Sequence, residues 1–167
     1  EKRLREMEEQ LNVFADELTA IRKANAIRLS EAIMNELRVL HMEKAKFIVN
    51  FEPLEQFDSN GKDNVAFYIS TNVGEPPKSL PKIASGGELS RMMLALKTIF
   101  SSSNGITSII FDEVDTGVSG RVAQAIAEKI ADISANSQVL CISHLPQVAA
   151  MADQHYYIKK QVEDNRT

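Results

Sequence analysis

At 167 residues, with 44% hydrophobic and 25% charged residues, the chain is long enough for one globular core with an appendage and has the composition of an ordinary α/β protein. A formal net charge of −4 argues against coating nucleic acid by charge alone, so any DNA contact must be local or come from other parts. No apolar run reaches membrane-spanning length, no signal or transit peptide is visible, and a lone cysteine, Cys141, excludes an internal disulfide; a reducing cytoplasm is the expected setting.

The chain opens on Glu1, without a methionine, inside a charged helical pattern, which leads to the expectation of a longer parent polypeptide. Leu4, Met7, Leu11, Phe14, Leu18 and Ile21 alternate steps of three and four, the seam of a helix with charged flanks. Asn25 and Arg28 interrupt the seam, and a broader stripe resumes through Ile33, Leu37 and Leu40. The pattern fits an amphipathic helix lying on its own domain, or one strand of a coiled coil whose partner is absent. After His41 the period becomes two: Phe47, Val49 and Phe51 predict a strand. Residues 58–64 read as a turn or exposed loop, 65–71 as a second strand, and 72–82, with Gly74 and three prolines, as irregular exposed chain.

From Ser85 onward strands and helices alternate. A helix carries Leu89, Met92, Met93, Leu96 and Phe100 on one face. The apolar strand Ser108-Ile109-Ile110-Phe111 follows, then a helix with Val122, Ile126, Ile130 and Ile133. The strand Val139-Leu140-Cys141-Ile142 comes next, then a short helix opening at Pro146 and a strand near 155–159. Such alternation predicts a parallel sheet covered on both faces, with ligands at the carboxyl ends of its strands. Cys141, inside an apolar strand, reads as a core residue rather than a reactive thiol.

The polar residues that could carry chemistry fall at those strand ends. Ser85-Gly86-Gly87-Glu88 has the S-x-x-E form of a capping box, with Ser85 as cap and Glu88 reaching back. Its two glycines sacrifice backbone entropy but allow close approach, and expose N–H groups at the positive end of a helix, which suits phosphate. Asp112 and Glu113 close a buried strand, where paired carboxylates are costly unless a cation or a reaction uses them. Asp112 is suited to Mg²⁺ held through water, and Glu113 to orienting or activating an attacking water. Asp115-Thr116-Gly117 matches the triplet of aspartic proteases. Those enzymes need two copies and are nearly all-β, so a loop with Ser119 capping the next helix fits better. His144, after Ser143 at the end of the next strand, could reach the same ligand as the acidic pair. A Ser-His-Asp hydrolase would need a nucleophile elbow, and no G-x-S-x-G is present. His41 and His155 lack such context.

Together these stretches resemble the motifs of ABC-type ATPases, in the ABC order. Ile83 to Arg91 is similar to the signature motif, Ser108 to Glu113 to the Walker B strand with its catalytic glutamate, Val114 to Gly120 to the D-loop, and His144 to the switch histidine. Within that superfamily ASGGELSRMMLALK, IFDEVDTGVSG and SHLPQVAAMAD look like the SMC-like RecN family, over roughly residues 72–155. General SMC heads usually carry leucine before the signature serine and a different D-loop. The resemblance implies an α/β fold: the C-terminal lobe of an ABC-type P-loop ATPase head, a mostly parallel sheet flanked by helices, over 44–167. It would be preceded by a coiled-coil arm helix over 1–43.

The family's mechanism places two ATP molecules between two heads. Carried onto this chain, Ser85, Gly86, Gly87 and Glu88 would meet ATP bound by a second RecN-like head. Asp112 would support Mg²⁺, and Glu113 and His144 would be catalytic, with His144 sensing the γ-phosphate. The D-loop residues Asp115, Thr116 and Gly117 would communicate across the dimer. The role implied is DNA double-strand-break repair and recombination by a cytoplasmic, nucleoid-associated protein that engages DNA and no membrane. No G-x-x-x-x-G-K-[ST] phosphate loop occurs in the sequence, and the Q-loop is missing as well. ATP and Mg²⁺ would therefore both need the N-terminal half of the head, and the chain by itself is expected to be inactive. Beyond Thr167 family members would continue through a further helix. Two other readings stay open: a non-catalytic coiled-coil or dimerisation module, and an unrelated hydrolase using His144 or Asp115.

Overall fold

The computed structural model describes residues 1–82, 86–101, 107–112 and 114–159. A single helix, α1 (Lys2–Val39), runs through Asn25 and Arg28 without a break. Its seam stays open to solvent along the first half: Leu4, Met7, Leu11, Phe14 and Ile21 are all exposed. The second half enters the core, with Ile33, Leu37 and Leu40 at 1% exposure or less. Burying side chains of this size contributes about 1.5–3 kcal/mol each, so the C-terminal turns anchor the helix.

β1 (Lys46–Asp58) and β2 (Gly61–Ser70) form an antiparallel hairpin, and the short β3 (Lys78–Ser79) pairs with β2. Phe47 faces inward and packs on Phe67 with ring centroids 5.5 Å apart. The expected loop over 58–64 is shorter than its composition suggests. The Asn60 amide donates to Asp58 Oδ1 at 2.6 Å, so the chain reverses over Ser59 and Asn60. The polar residues after it stay extended because α1 holds them: Thr19 Oγ1 donates to Asp63, and Lys62 pairs with Asp16. Lys23 also sits over the Phe51 ring at 5.9 Å from its centroid. A 3-10 turn, Leu80–Lys82, ends this part of the described chain.

α2 (Gly86–Ser101) packs against α1 on one side and α3 on the other. Its buried face is therefore displaced from the expected one: Met92, Leu94 and Ala95 are fully buried, whereas Met93 is exposed. β4 (Ser108–Asp112), α3 (Gly120–Ser134) and β5 (Gln138–Ile142) make a parallel crossover unit, the connection that parallel strands require. α4 (Pro146–Ala150) opens with proline in its first turn and buries Val148. A half-buried ion pair, Lys129 to Glu36 at 2.9 Å, ties α3 to α1.

One hydrophobic cluster joins these parts, running from Ile33 and Leu37 through Phe47, Ile69 and Met92 to Ile109, Phe111, Ile126 and Val148. The parallel sheet is as expected in direction but not in cover. Ile109 and Phe111 face the core, whereas Ile110, Leu140 and Ile142 lie exposed on the other face at 69%, 48% and 54%. Residues 155–159, expected as a strand, run as irregular chain with Tyr156, Tyr157 and Ile158 exposed. Their apolar pattern meets no strand to pair with among the described residues. No described helix is long and apolar enough to cross a membrane.

Candidate active-site edge

The register of the parallel pair sets the site. Asp112 lies opposite Ile142, so the acidic end of β4 and the Ser143-His144 end of β5 leave the sheet at the same edge, as the alternation of strands and helices implied. Asp112 is exposed there. Val114 turns back into the core at 5% exposure, and Asp115 follows it at 0%. The turn is closed by the Val118 amide donating to the Asp115 carbonyl at 3.3 Å. Gly117 sits at φ 71°, a left-handed conformation that glycine takes without a Cβ penalty. Ser119 occupies the N-cap position of α3, but its side chain makes no capping hydrogen bond.

The Asp115 carboxylate turns toward its own chain, while Thr116 and Gly117 are exposed. Its Oδ2 accepts a hydrogen bond from Ser143 Oγ, which itself accepts from the Leu145 amide at 3.0 Å. Its Oδ1 has no hydrogen-bond partner among the described residues and lies 3.8 Å from His144 Nδ1. The Ser143 hydroxyl is thus engaged by Asp115, so these residues do not form the serine-to-histidine relay of a hydrolase. A fully buried Asp115 is equally unlike the facing pair of an aspartic protease. Cys141 lies just upstream. Burial, and secondarily the Asp115 charge, push its thiol up to about 11, so it stays protonated and unreactive at neutral pH, in line with a structural role.

The first turn of α2 completes the edge. A Cβ built on Gly87 would stand 2.6 Å from the Thr116 carbonyl oxygen, closer than any side chain tolerates. The glycine at 87 is thereby explained by packing: it lets α2 press its N-terminal turn onto the loop after β4. At Gly86 a Cβ would meet nothing within 4 Å, so packing does not require glycine at that position. Glu88 is half-buried in the same turn. Arg91, one turn further, ends the stretch likened to the signature motif, and sequence reasoning gave it no role of its own. Burial lowers its guanidinium pKa and the Glu88 charge opposes that shift. Its Nε is buried without a hydrogen-bond partner among the described residues.

Replacing Gly87 with Ala tests this packing. The overlap with Thr116 costs about 1–3 kcal/mol, against a helix-propensity gain of about 1 kcal/mol. The 114–118 turn should loosen, read as severalfold faster hydrogen exchange at the Val118 amide. Unchanged exchange would mean that α2 and the turn are not packed through Gly87.

Ser85 and Glu113 lie outside the described residues. Among the described residues no three His, Cys, Asp or Glu side chains gather to hold a metal ion. A single exposed carboxylate such as Asp112 nevertheless fits Mg²⁺, which keeps most of its water and is commonly bound through one or two carboxylates plus phosphate oxygens. The open N-terminus of α2 fits a phosphate in the same way.

Solved structures that share this architecture include SMC heads. The chain superposes on the Smc head domain with an extended coiled coil from Pyrococcus furiosus, solved bound to the C-terminal domain of ScpA, with a TM-score of 0.58 and 22% identity. The match covers 87% of this chain and 33% of that one. A structure from work on ATP-driven dimerization and DNA-stimulated activation of SMC ATPases gives a TM-score of 0.53 at 20% identity, covering 90% of this chain and 83% of that one. The fold is that of the SMC head class. Sequence relatives narrow it. The DNA repair protein RecN of Halalkalibacterium halodurans is 62% identical over 165 residues, covering 96% of this chain, and that of Bacillus subtilis is 55% identical over 182 residues. RecN of Haemophilus influenzae is 41% identical over 95% of the chain. The chain belongs to the RecN family, and it spans under a third of the length of these relatives, 29% and 31% for the first two. No protein-family profile matches it.

Proposed function

We propose that the chain supplies the C-terminal half of an ATPase head in a RecN-like protein of double-strand-break repair. The observation that carries this reading is convergence. Three motifs far apart in sequence meet at one edge: the Gly86-Gly87 turn sits on Thr116, and the adjoining Asp115 sits against Ser143 and His144. ATP with Mg²⁺ would supply the phosphoanhydride bond that is broken.

The residues of this chain bind, orient and move a proton. Asp112 would hold Mg²⁺, which keeps most of its water and would offset phosphate charge. Glu113 orients the attacking water and takes its proton. His144 faces the terminal phosphate. Ser85, Gly86, Gly87 and Glu88 present the N-terminus of α2 to ATP gripped by a second head, while the phosphate loop comes from the N-terminal half. Thr116 and Gly117, exposed on the D-loop, face the second head. DNA engagement belongs to the whole protein, and a cytoplasmic, nucleoid-associated setting follows from that role.

The exposed seam of α1 favours a companion reading, in which residues 1–43 form one strand of a coiled-coil arm, leaving 44–167 as the lobe itself. By itself that seam would also suit a non-catalytic dimerisation module. Ser85→Arg in the full-length protein separates the two. A bulky side chain at the signature should leave ATP binding by each head intact but abolish ATP-driven dimerisation, measured by light scattering with a hydrolysis-slow analogue. An ATP-dependent dimer that survives the substitution would contradict the signature's role.

A further inference from the structure

We propose that Asp115 is a positioning residue for His144, acting within one head rather than only across a dimer; this rests on the reading of His144 given above. A carboxylate at 0% exposure is costly to bury, and one with a single side-chain hydrogen bond among the described residues is under-compensated by them. Asparagine would satisfy Ser143 without that cost. The charge is explained by what stands beside Oδ1, which has no hydrogen-bond partner among the described residues: the Nδ1 edge of His144 at 3.8 Å.

Two features make the pair directional. The Ser143 hydroxyl, braced by the Leu145 amide, fixes Oδ2 and so leaves Oδ1 aimed at the ring. His144 is the exposed partner, with 69% of its side chain accessible, and its Nδ1 lies toward the buried carboxylate. The nitrogen that hydrogen-bonds to the protein dictates which nitrogen is offered outward. With hydrogen on both ring nitrogens, Asp115 accepts from Nδ1–H on the inner side and leaves Nε2–H to donate to an anion at the sheet edge. The gap exceeds a formed hydrogen bond, as in many sites that tighten only when ligand arrives.

Thr116, the next residue, carries the carbonyl on which Gly87 rests. One peptide thus links the signature helix to the carboxylate that orients the histidine.

A double-mutant cycle in the full-length protein tests the assignment. Asp115→Ala should lower kcat for ATP hydrolysis by about tenfold or more while KM changes less than about threefold, the pattern of a lost orienting contact. In a His144→Gln background the same substitution should cost less than about twofold, because the ring it orients is gone. Asp115→Asn, which keeps shape and the Ser143 hydrogen bond, provides a second variant should the alanine chain fail to fold, with the same non-additivity expected. An equal loss with and without His144 would show that Asp115 only supports the fold, and would overturn the inference alone. Wild-type protein without ATP hydrolysis, or unchanged hydrolysis in His144→Gln, would contradict the proposed function and the inference together.

Discussion

In the full-length protein, Glu113→Gln should bind ATP within about twofold of wild type and hydrolyse it about 10²–10⁴-fold more slowly, the usual span for losing a positioned general base. The amide keeps the size of the side chain and can still accept a hydrogen bond from water, but it cannot take a proton. Asp112, at the end of β4, remains to support the metal, and the first turn of α2 is untouched. Binding and hydrolysis should therefore separate, with ATP-bound dimers accumulating. Filter binding or fluorescence titration measures the first, and single-turnover phosphate release the second. Hydrolysis within threefold of wild type would remove Glu113 from the chemistry. A matching loss of binding would instead place it among the groups that hold nucleotide.

The fold was legible wherever local period and burial agree. The crossover unit from β4 to β5 follows from near-continuous apolar strands around an amphipathic α3, and Ile126, Ile130 and Ile133 are buried as their spacing requires. Where a second neighbour decides, the pattern misleads. Met93 shares a helical stripe with Met92, yet α2 is gripped by both α1 and α3, which buries Leu94 and Ala95 and leaves Met93 out. Residues 62 and 63 look like part of a loop because their polar side chains serve α1 rather than solvent.

The candidate site divides similarly. The sheet edge shared by Asp112 and His144 is implied by parallel register. The turning of Asp115 into its own chain is a tertiary event, and no spacing marks it. Gly87 is the instructive case: its sequence signal is a phosphate-binding glycine, and the structure adds that any side chain there would strike the Thr116 carbonyl. Both demands fall on one residue, so a loss of activity on substituting Gly87 cannot by itself tell ligand contact from packing, whereas hydrogen exchange at Val118 reads the packing alone. Asp115 and Ser85 separate them.

The largest consequence concerns what these 167 residues do without further chain. They contain no phosphate loop, and backbone N–H groups at the start of α2 cannot by themselves grip three phosphates and a metal. They also leave apolar surface open in two places, the seam of α1 and the outer face of the parallel sheet at Ile110, Leu140 and Ile142. Exposed patches of this kind mark surfaces that another part of a protein covers, and an N-terminal half carrying the phosphate loop would suit the sheet face. Mixing should therefore produce both assembly and activity. The decisive measurement is steady-state ATP hydrolysis by the isolated chain, by an N-terminal head half from a RecN relative, and by the two combined with Mg²⁺, with and without double-stranded DNA. Each half alone should stay at background, and the mixture should turn over ATP at least about a hundredfold faster, the scale contributed by preorganised electrostatic contacts. Sustained turnover by the isolated chain, or a mixture that assembles yet remains at background, would contradict the assignment of this chain as half of an ATPase head.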